Sequence, residues 1–247
     1  MNLAHFRFYE ELNEFLPAEK RKVCFIYEFF GKPSVKDAIE ALGVPHVEVD
    51  LVLVNGESVD FSYGLKDGDN VSVYPVFEGL DITPVIRLRE KPLREVKFIL
   101  DVHLGRLAKY LRLCGYDTLF INNFSDPEIV DTAEKENRII LTRDRGILKN
   151  RRVTHGYWIR SQAHDEQLKE VFTRFDLKGQ VRFFTRCIRC NTPLEEVKKE
   201  DITDRLQEKT KRYYSKFKRC PGCDRIYWEG THYARLREKV REALGGK

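Results

Sequence analysis

The chain has 247 residues, of which 42% are hydrophobic and 34% charged, and its formal net charge at pH 7 is +5. A chain of this length and composition can bury sizeable hydrophobic cores, and we expect two or three compact domains. No apolar run approaches the roughly 20 residues of a membrane helix, and the first residues lack the basic and apolar zones of a signal peptide. We therefore expect a cytoplasmic protein that makes no membrane contact.

The first domain is predicted to span residues 1–81 and to have the element order ββαββ. Residues 34–43 begin at Ser34, a good N-cap, continue with apolar helical spacing and end at Gly43, which predicts a helix. The turn pair Asn55-Gly56 ends the third strand. The predicted strands are residues 5–9, 23–27, 47–54 and 70–76.

This order, together with Leu53-Val54-Asn55-Gly56 and residues 65–71, resembles the ubiquitin-like sulfur-carrier proteins of thiamine and molybdopterin synthesis. The resemblance implies a β-grasp fold. Those carriers act through a free Gly-Gly terminus, whereas the matching place here, residues 77–80, continues into further chain, and Gly245-Gly246 is followed by Lys247. We therefore expect a module that docks a protein partner or positions a substrate, with sulfur transfer as an alternative.

A linker and a second domain follow. Residues 82–95 are charged and contain Pro84 and Pro92, which indicates a connection. Residues 96–180 then alternate β-prone runs with amphipathic helical patterns, including a capping box at Ser125 and Glu128. Repeated βα units of this length predict a parallel sheet with helices on both faces.

Two of these β-prone runs end at an aspartate, Asp101 and Asp144, and Asp126 stands at a helix start. The carboxyl ends of parallel strands hold ligands in open sheets, so the carboxylates are expected to converge. Two unit charges about 4 Å apart repel by roughly 4 kcal/mol at an effective dielectric of 20, a cost that a divalent cation reverses. Mg²⁺ or Mn²⁺ suits an all-oxygen site. The alternative is that each aspartate only caps a helix.

Four of the six cysteines form two C-x-x-C pairs separated by 29 residues, Cys187/Cys190 and Cys220/Cys223. This spacing indicates a structural zinc site in a ribbon, and a redox role for one pair is the competing interpretation. The domain is predicted to span residues 181–247, with an inserted helix within 201–214. Cys24 and Cys114 lie in apolar contexts and are expected in the core.

The C-terminal lobe carries the basic surface of the chain. Residues 186–247 contain 17 Lys+Arg and 10 Asp+Glu, a formal +7, which leaves −2 for the preceding residues. Cations alternate with rings along residues 209–219, a pattern suited to phosphate contact and base stacking. The alternative is a solvated charged face. The predicted RNA contacts in this lobe are Arg212, Tyr213, Tyr214, Lys216 and Phe217.

Three segments of the second domain carry a family resemblance, and they contain Asp101-Val102-His103-Leu104-Gly105, Ser125-Asp126-Pro127-Glu128 and Leu141-Thr142-Arg143-Asp144. These segments resemble the Mut-seven C-terminal RNase domain family, and the resemblance runs from about residue 96 to residue 233. It implies a PIN-like nuclease fold, a preceding ubiquitin-like domain and metal-dependent RNase activity, with Asp101, Asp126 and Asp144 at the acidic metal-binding positions. A fourth acid and the number of metal ions stay open.

The sequence thus predicts an α/β protein with an N-terminal β-grasp (ubiquitin-like) domain, then a PIN-like parallel-sheet domain with a C-terminal zinc ribbon. The functional hypothesis is a divalent-metal-dependent RNase that hydrolyses phosphodiester bonds. The alternative is a non-catalytic RNA-binding adaptor that binds a protein partner through the ubiquitin-like domain. The candidate phosphate contacts in the nuclease domain are Arg106, Arg112, Arg143 and Arg145.

Overall fold

The computed structural model describes residues 1–75 and 96–245. The chain folds into two compact units, the first containing Met1–Glu95 and Asp144–Trp158, and the second containing Val96–Arg143 and Ile159–Lys247. The predicted linker and residues 77–80 lie outside the described residues. None of the helices in the described ranges combines the length and apolar character needed to cross a membrane.

The first unit contains a five-stranded sheet in the order β2-β1-β5-β3-β4, in which β1 and β5 are parallel and the other pairs antiparallel. This is the predicted β-grasp arrangement with one additional strand. Asn55 (φ 52°) and Gly56 (φ 89°) form a tight turn that lets the chain pair back as β4. The elements are β1 (Asn2–Phe8), β2 (Phe25–Phe29), α1 (Val35–Ala41), β3 (Val49–Val54), β4 (Glu57–Val59) and β5 (Asn70–Pro75).

Helix α1 covers the inner face of this sheet. Its N-terminus is closed by a capping box, because Ser34 Oγ accepts from Asp37 N at 3.1 Å and Asp37 Oδ2 accepts from Ser34 N at 3.3 Å. Gly43, at φ 104°, follows the helix in the left-handed conformation that glycine tolerates. The fully buried core joins alternate residues of β1 and β5 to the apolar face of the helix, among them Phe6, Phe8, Ile39 and Val73.

Of the two cysteines expected in the core, Cys114 is fully buried, whereas the prediction for Cys24 is wrong because Cys24 is exposed. Cys24 precedes β2, the edge strand whose Phe25, Tyr27 and Phe29 pack on the core. Because successive side chains of a strand point to opposite faces, the even-numbered residues face away from the core, and Ile26 is 54% exposed. Of the apolar residues next to Cys24 in sequence, Phe25 packs on the core, whereas Val23 is itself 46% exposed.

The second unit begins with the predicted alternation of strands and helices. Strand β6 lies between β7 and β8, and both pairings are parallel. Helix α3 starts with the predicted capping box of Ser125 and Glu128, and Gly115 (φ 95°) ends the turn after α2. The elements are β6 (Lys97–Leu100), α2 (Gly105–Leu113), β7 (Asp117–Phe120), α3 (Asp126–Glu136) and β8 (Ile139–Thr142).

The segment Asp144–Trp158 belongs to the first unit, although it lies in the range predicted for the nuclease domain. It contains α4 (Arg145–Leu148) and β9 (Gly156–Trp158). Trp158 N donates to the buried Glu48 Oε1 at 2.7 Å, and His46 Nε2 lies 3.0 Å from the carbonyl of Val153. The β-grasp sheet therefore packs against chain that is distant in sequence.

The C-terminal lobe forms a small antiparallel sheet in the order β10-β11-β12. The insertion between the cysteine pairs is helical, as predicted, with a 3-10 helix at Glu200–Arg205 before α6. Its own buried apolar cluster consists of Ile202, Leu206 and Phe217. The elements are α5 (His164–Arg174), β10 (Glu195–Val197), α6 (Glu208–Tyr213), β11 (Phe217–Arg219), β12 (Ile226–Tyr227) and α7 (Thr231–Ala243).

Candidate functional site

The four cysteines of the ribbon converge on one point. Their sulfur atoms all lie within 4.8 Å of one another, with Cys187 Sγ 3.6 Å from Cys223 Sγ and Cys190 Sγ 3.3 Å from Cys220 Sγ. Four sulfurs bound tetrahedrally at about 2.3 Å from Zn²⁺ would be separated by about 3.8 Å. The donor set and its spacing therefore fit a structural metal ion such as zinc, which the four thiolates would hold.

The ionisation of these thiols depends on their neighbours. Burial raises the pKa of Cys190, but hydrogen bonds from the Thr192 side chain and backbone and from neighbouring thiols bring it down to about 6. Burial and the adjacent thiols raise the pKa of Cys223 to about 12. Because close thiolates repel, a cation is needed for all four to ionise together, and metal binding is expected to release protons.

The first cysteine pair is anchored to the edge of the parallel sheet. Asn191, which lies between the pair and β10 at φ 73°, accepts a hydrogen bond from Thr118 N at 2.9 Å and donates to Asp117 Oδ1 at 2.8 Å. Arg138 donates to the same carboxylate oxygen at 2.6 Å. The ribbon and the sheet of the second unit are thus joined through β7.

Arg112 makes a second link between the sheet and the ribbon. Its guanidinium donates to the carbonyls of Thr118 at 2.8 Å and Arg189 at 2.7 Å, with longer contacts to Ile188 and Phe120. The residue is only 4% exposed, and burial lowers its pKa despite the nearby thiols and Asp117. The contacts of Arg112 are therefore with the protein's own backbone, in contrast to the predicted phosphate contact.

Asp101 lies at the carboxyl end of β6 and is 6% exposed. Its Oδ1 accepts from His103 N at 2.9 Å, and its Oδ2 accepts from Thr142 Oγ1 at 2.5 Å and from Arg143 N at 2.9 Å. The carboxylate thus caps the following 3-10 helix and bridges the ends of β6 and β8. A carboxylate has about four acceptor positions, so one stays available for a further ligand.

The other two aspartates are exposed. Asp126 is the first residue of α3, and Asp144 is the N-cap of α4, where its Oδ1 accepts from Gly146 N at 2.7 Å. Within residues 1–75 and 96–245, the four cysteines are the only group of three or more Cys, His, Asp or Glu side chains placed to hold one metal ion. The acidic metal site accordingly stays a prediction.

The remaining predicted arginines differ in their environments. Arg106 is exposed on α2, and Arg143 is half-buried and donates to the carbonyl of Ser161 at 3.0 Å. The guanidinium of Arg145 lies 3.9 Å from the Trp158 ring centre and 5.1 Å from that of Phe15. Arg145 is therefore engaged within the first unit, and Arg106 is the most accessible of the four.

The predicted RNA contacts of the ribbon are also unequal. Arg212 lies 5.8 Å from the ring of the 70% exposed Tyr213, and Lys216 is exposed. Tyr214 is half-buried against the ribbon's apolar cluster, in which Phe217 is buried. Tyr214 also lines a cleft of about 1210 Å³ within the second unit.

The cleft also contains residues outside the predicted set of RNA contacts, among them Lys109, Arg225 and Trp228. Trp228 is one of two tryptophans in the chain and lies five residues after Cys223. A tryptophan so close to the metal ligands of a basic lobe could have been predicted as a base-stacking residue. Lys109 and Arg225 had no such indication, because their proximity depends on how the ribbon packs on α2.

Comparison with known proteins gave two family matches. Residues 96–240 match the model described as Mut7-C RNAse domain, and residues 1–81 match the model described as Mut7-C ubiquitin. No curated protein matches the chain. SAMP1 from Haloferax volcanii is similar at 22% identity over 32% of this chain and 99% of that one, with a TM-score of 0.25. The RNase model covers more than half of the sequence, so the chain belongs to the Mut7-C RNase domain family, and a Mut7-C ubiquitin-like domain precedes its RNase domain.

Proposed function

We propose that the protein is a ribonuclease that hydrolyses phosphodiester bonds with the help of Mg²⁺ or Mn²⁺. The match of residues 96–240 to an RNase domain carries this proposal. The buried carboxylate of Asp101 at the carboxyl ends of parallel strands supports it, because ligands bind at that edge of such sheets. Asp126 and Asp144 are proposed as the further acidic ligands.

In this proposal, Asp101 is the fixed ligand. Three hydrogen bonds hold its carboxylate in one orientation, and the position that they leave free would receive the ion. When bound, the ion would lower the pKa of the attacking water and offset negative charge on the transition state. Arg106 and Arg143 would contact the substrate phosphates, and the ribbon, with its structural zinc, would hold RNA.

The test is cleavage of end-labelled RNA by the zinc-loaded full-length protein with Mg²⁺ or Mn²⁺. Asp101→Asn, Asp126→Asn and Asp144→Asn are each expected to lower the rate by about 100-fold or more, by loss of a ligand that stabilises developing charge. Asp204→Asn, at an exposed acid in the insertion of the ribbon, is the control and should cleave as the wild type. No cleavage with either metal, or unchanged cleavage by all three variants, would contradict the proposal.

The capping contacts of Asp101 and Asp144 favour a second candidate, a non-catalytic RNA-binding adaptor. In that case, the aspartates only stabilise the helices that follow them, and the ubiquitin-like domain binds a protein partner. RNA binding without cleavage under any metal, together with lowered stability in Asp101→Asn, is the result that would support the adaptor.

A further inference from the structure

The cleft of about 1210 Å³ is formed entirely by the second unit. Its walls come from α2, from the first cysteine pair, from the ribbon strands and from the start of α7. The family match to an RNase domain does not say where on this surface a nucleic acid lies. The chemistry of the cleft lining does point to a ligand class.

The charge of the lining is strongly positive. Five Lys or Arg residues and one acidic residue, Asp224, line the cleft. Asp224 is already paired, since its carboxylate lies 3.1 Å from Arg205 and 2.5 Å from Arg219. Lys109, Arg189 and Arg225 have no ion pair within the described ranges, so these cations can bind an anionic ligand. Lys and Arg side chains bind the phosphate groups of nucleic acids, so phosphates are the anions that these cations would recognise.

Aromatic side chains lie beside these cations. The half-buried indole of Trp228 lines the cleft and packs on the ribbon's apolar cluster, with its ring centre 6.5 Å from that of Tyr214 and 6.4 Å from that of Phe217. A Cβ atom at residue 230 would lie 2.6 Å from Trp228 Nε1, so Gly230 provides the space that the indole occupies. The ring is thus held in place and only partly covered, as a stacking platform requires.

We propose that this cleft binds single-stranded RNA, with one base stacked on Trp228 and with phosphates contacted by Lys109, Arg189 and Arg225. This inference rests on the proposed function, and it specifies that the RNA substrate is single-stranded. Unpaired bases expose their faces to aromatic rings, whereas an A-form duplex keeps its bases stacked on one another. A platform ring in a cleft that is also lined by cations therefore favours a single strand over a duplex.

The experiment uses the fluorescence of the proposed platform itself. The chain contains two tryptophans, so Trp158→Phe in the zinc-loaded full-length protein leaves Trp228 as the sole indole. A single-stranded oligoribonucleotide is titrated without added Mg²⁺ or Mn²⁺, and a gel verifies that the RNA stays intact. We expect binding by anisotropy and quenching of Trp228 with the same midpoint. Binding without quenching would overturn the proposal.

Variants separate stacking from charge. Trp228→Leu, which keeps an apolar side chain on the ribbon cluster, should weaken single-strand binding by about 10-fold to 100-fold. Lys109→Ala and Arg225→Ala should each reduce the slope of log K against log salt by about 0.7. The exposed Lys239→Ala on α7 is the matched control and should leave the slope unchanged. A duplex of the same length that binds equally well and quenches equally would also overturn the proposal.

These outcomes are distinct from failure of the nuclease proposal. If the RNA binds and quenches Trp228 but no metal supports cleavage, the cleft assignment stands and the catalytic proposal fails. If RNA is cleaved but Trp228→Leu, Lys109→Ala and Arg225→Ala all bind as the wild type, the catalytic proposal stands and the cleft assignment fails. Zinc content and circular dichroism of each variant verify that the ribbon is intact.

Discussion

The carboxylate of Asp117, on β7, interacts with several polar side chains at once. Its Oδ1 accepts hydrogen bonds from Arg138 at 2.6 Å and Asn191 at 2.8 Å, and its Oδ2 lies 3.6 Å from Arg186. Burial raises the pKa of this carboxyl, but the hydrogen bonds from Arg138 and Asn191 and the two guanidinium charges outweigh burial and lower the pKa below its ordinary value. The charged form is thus the one that the fold stabilises.

A pH dependence of stability follows from this lowered pKa. The contribution of Asp117 is present above its unfolded-state value of about 3.9 and is lost as pH falls through the lower folded-state pKa. We expect Asp117→Asn to be less stable than the wild type at pH 6, with the difference shrinking below about pH 4. Urea unfolding between pH 6 and pH 3 measures this, with the exposed Asp204→Asn as control. A difference that is constant with pH would contradict the assignment.

At the scale of elements, most predictions from sequence were correct because the determinants are local. The N-cap at Ser34, the capping box of Ser125 and Glu128 and the turn at Asn55-Gly56 involve residues at most three apart, and the structure confirms them. The exposure of Cys24 and the position of Arg112 depend on which face or element packs against them. Sequence spacing contains no such information, so the Cys24 prediction failed and the anchoring role of Arg112 was missed.

Helix α3 offers a direct test of one such local determinant. Glu128 Oε2 accepts from Ser125 N at 2.9 Å and from Ser125 Oγ at 2.7 Å, which lowers the pKa of this exposed carboxyl. Ser125→Ala removes the side-chain half of the box and should lower the free energy of unfolding by about 1 kcal/mol. Ser215→Ala, at a serine outside any helix, should change it by less than about 0.5 kcal/mol. Equal effects of the two substitutions would show that the box contributes nothing measurable.

At the scale of the whole molecule, the candidate sites differ in how far the sequence determined them. The cysteine spacing identified the ribbon site completely, since all four sulfurs meet. The cleft around Trp228 was not predicted, because its lining comes from residues between Gly105 and Leu236 that only tertiary packing brings together. The acidic residues were predicted only in part. Asp101 lies at the end of β6 as expected, and its role as a metal ligand stays a prediction.

Metal removal tests the dependence of the ribbon on its ion. The apolar cluster of the ribbon has only three buried members, too few to stabilise the lobe alone, whereas structural zinc supplies roughly 10 to 16 kcal/mol of apparent binding energy. We expect one zinc ion per chain by elemental analysis. A chelator should expose the region around residues 186–230 to limited proteolysis while β6 and β8 stay protected. Cys220→Ser should behave as the chelated protein, and Cys24→Ser, at the exposed cysteine, as the wild type. An unchanged proteolysis pattern would show that the ribbon folds without metal.

The first unit is built from two stretches of chain that are far apart in sequence, and this has a consequence during synthesis. The main-chain N–H of Trp158 donates to the buried Glu48, and the carbonyl of Val153 lies against His46. At about 5 to 20 residues per second, a ribosome needs roughly 4 to 17 s to synthesise residues 76–158 after it has completed the strands of the β-grasp sheet. Throughout that interval Glu48 and His46 are without these partners, and a nascent chain released in it would present an incomplete surface to chaperones and proteases.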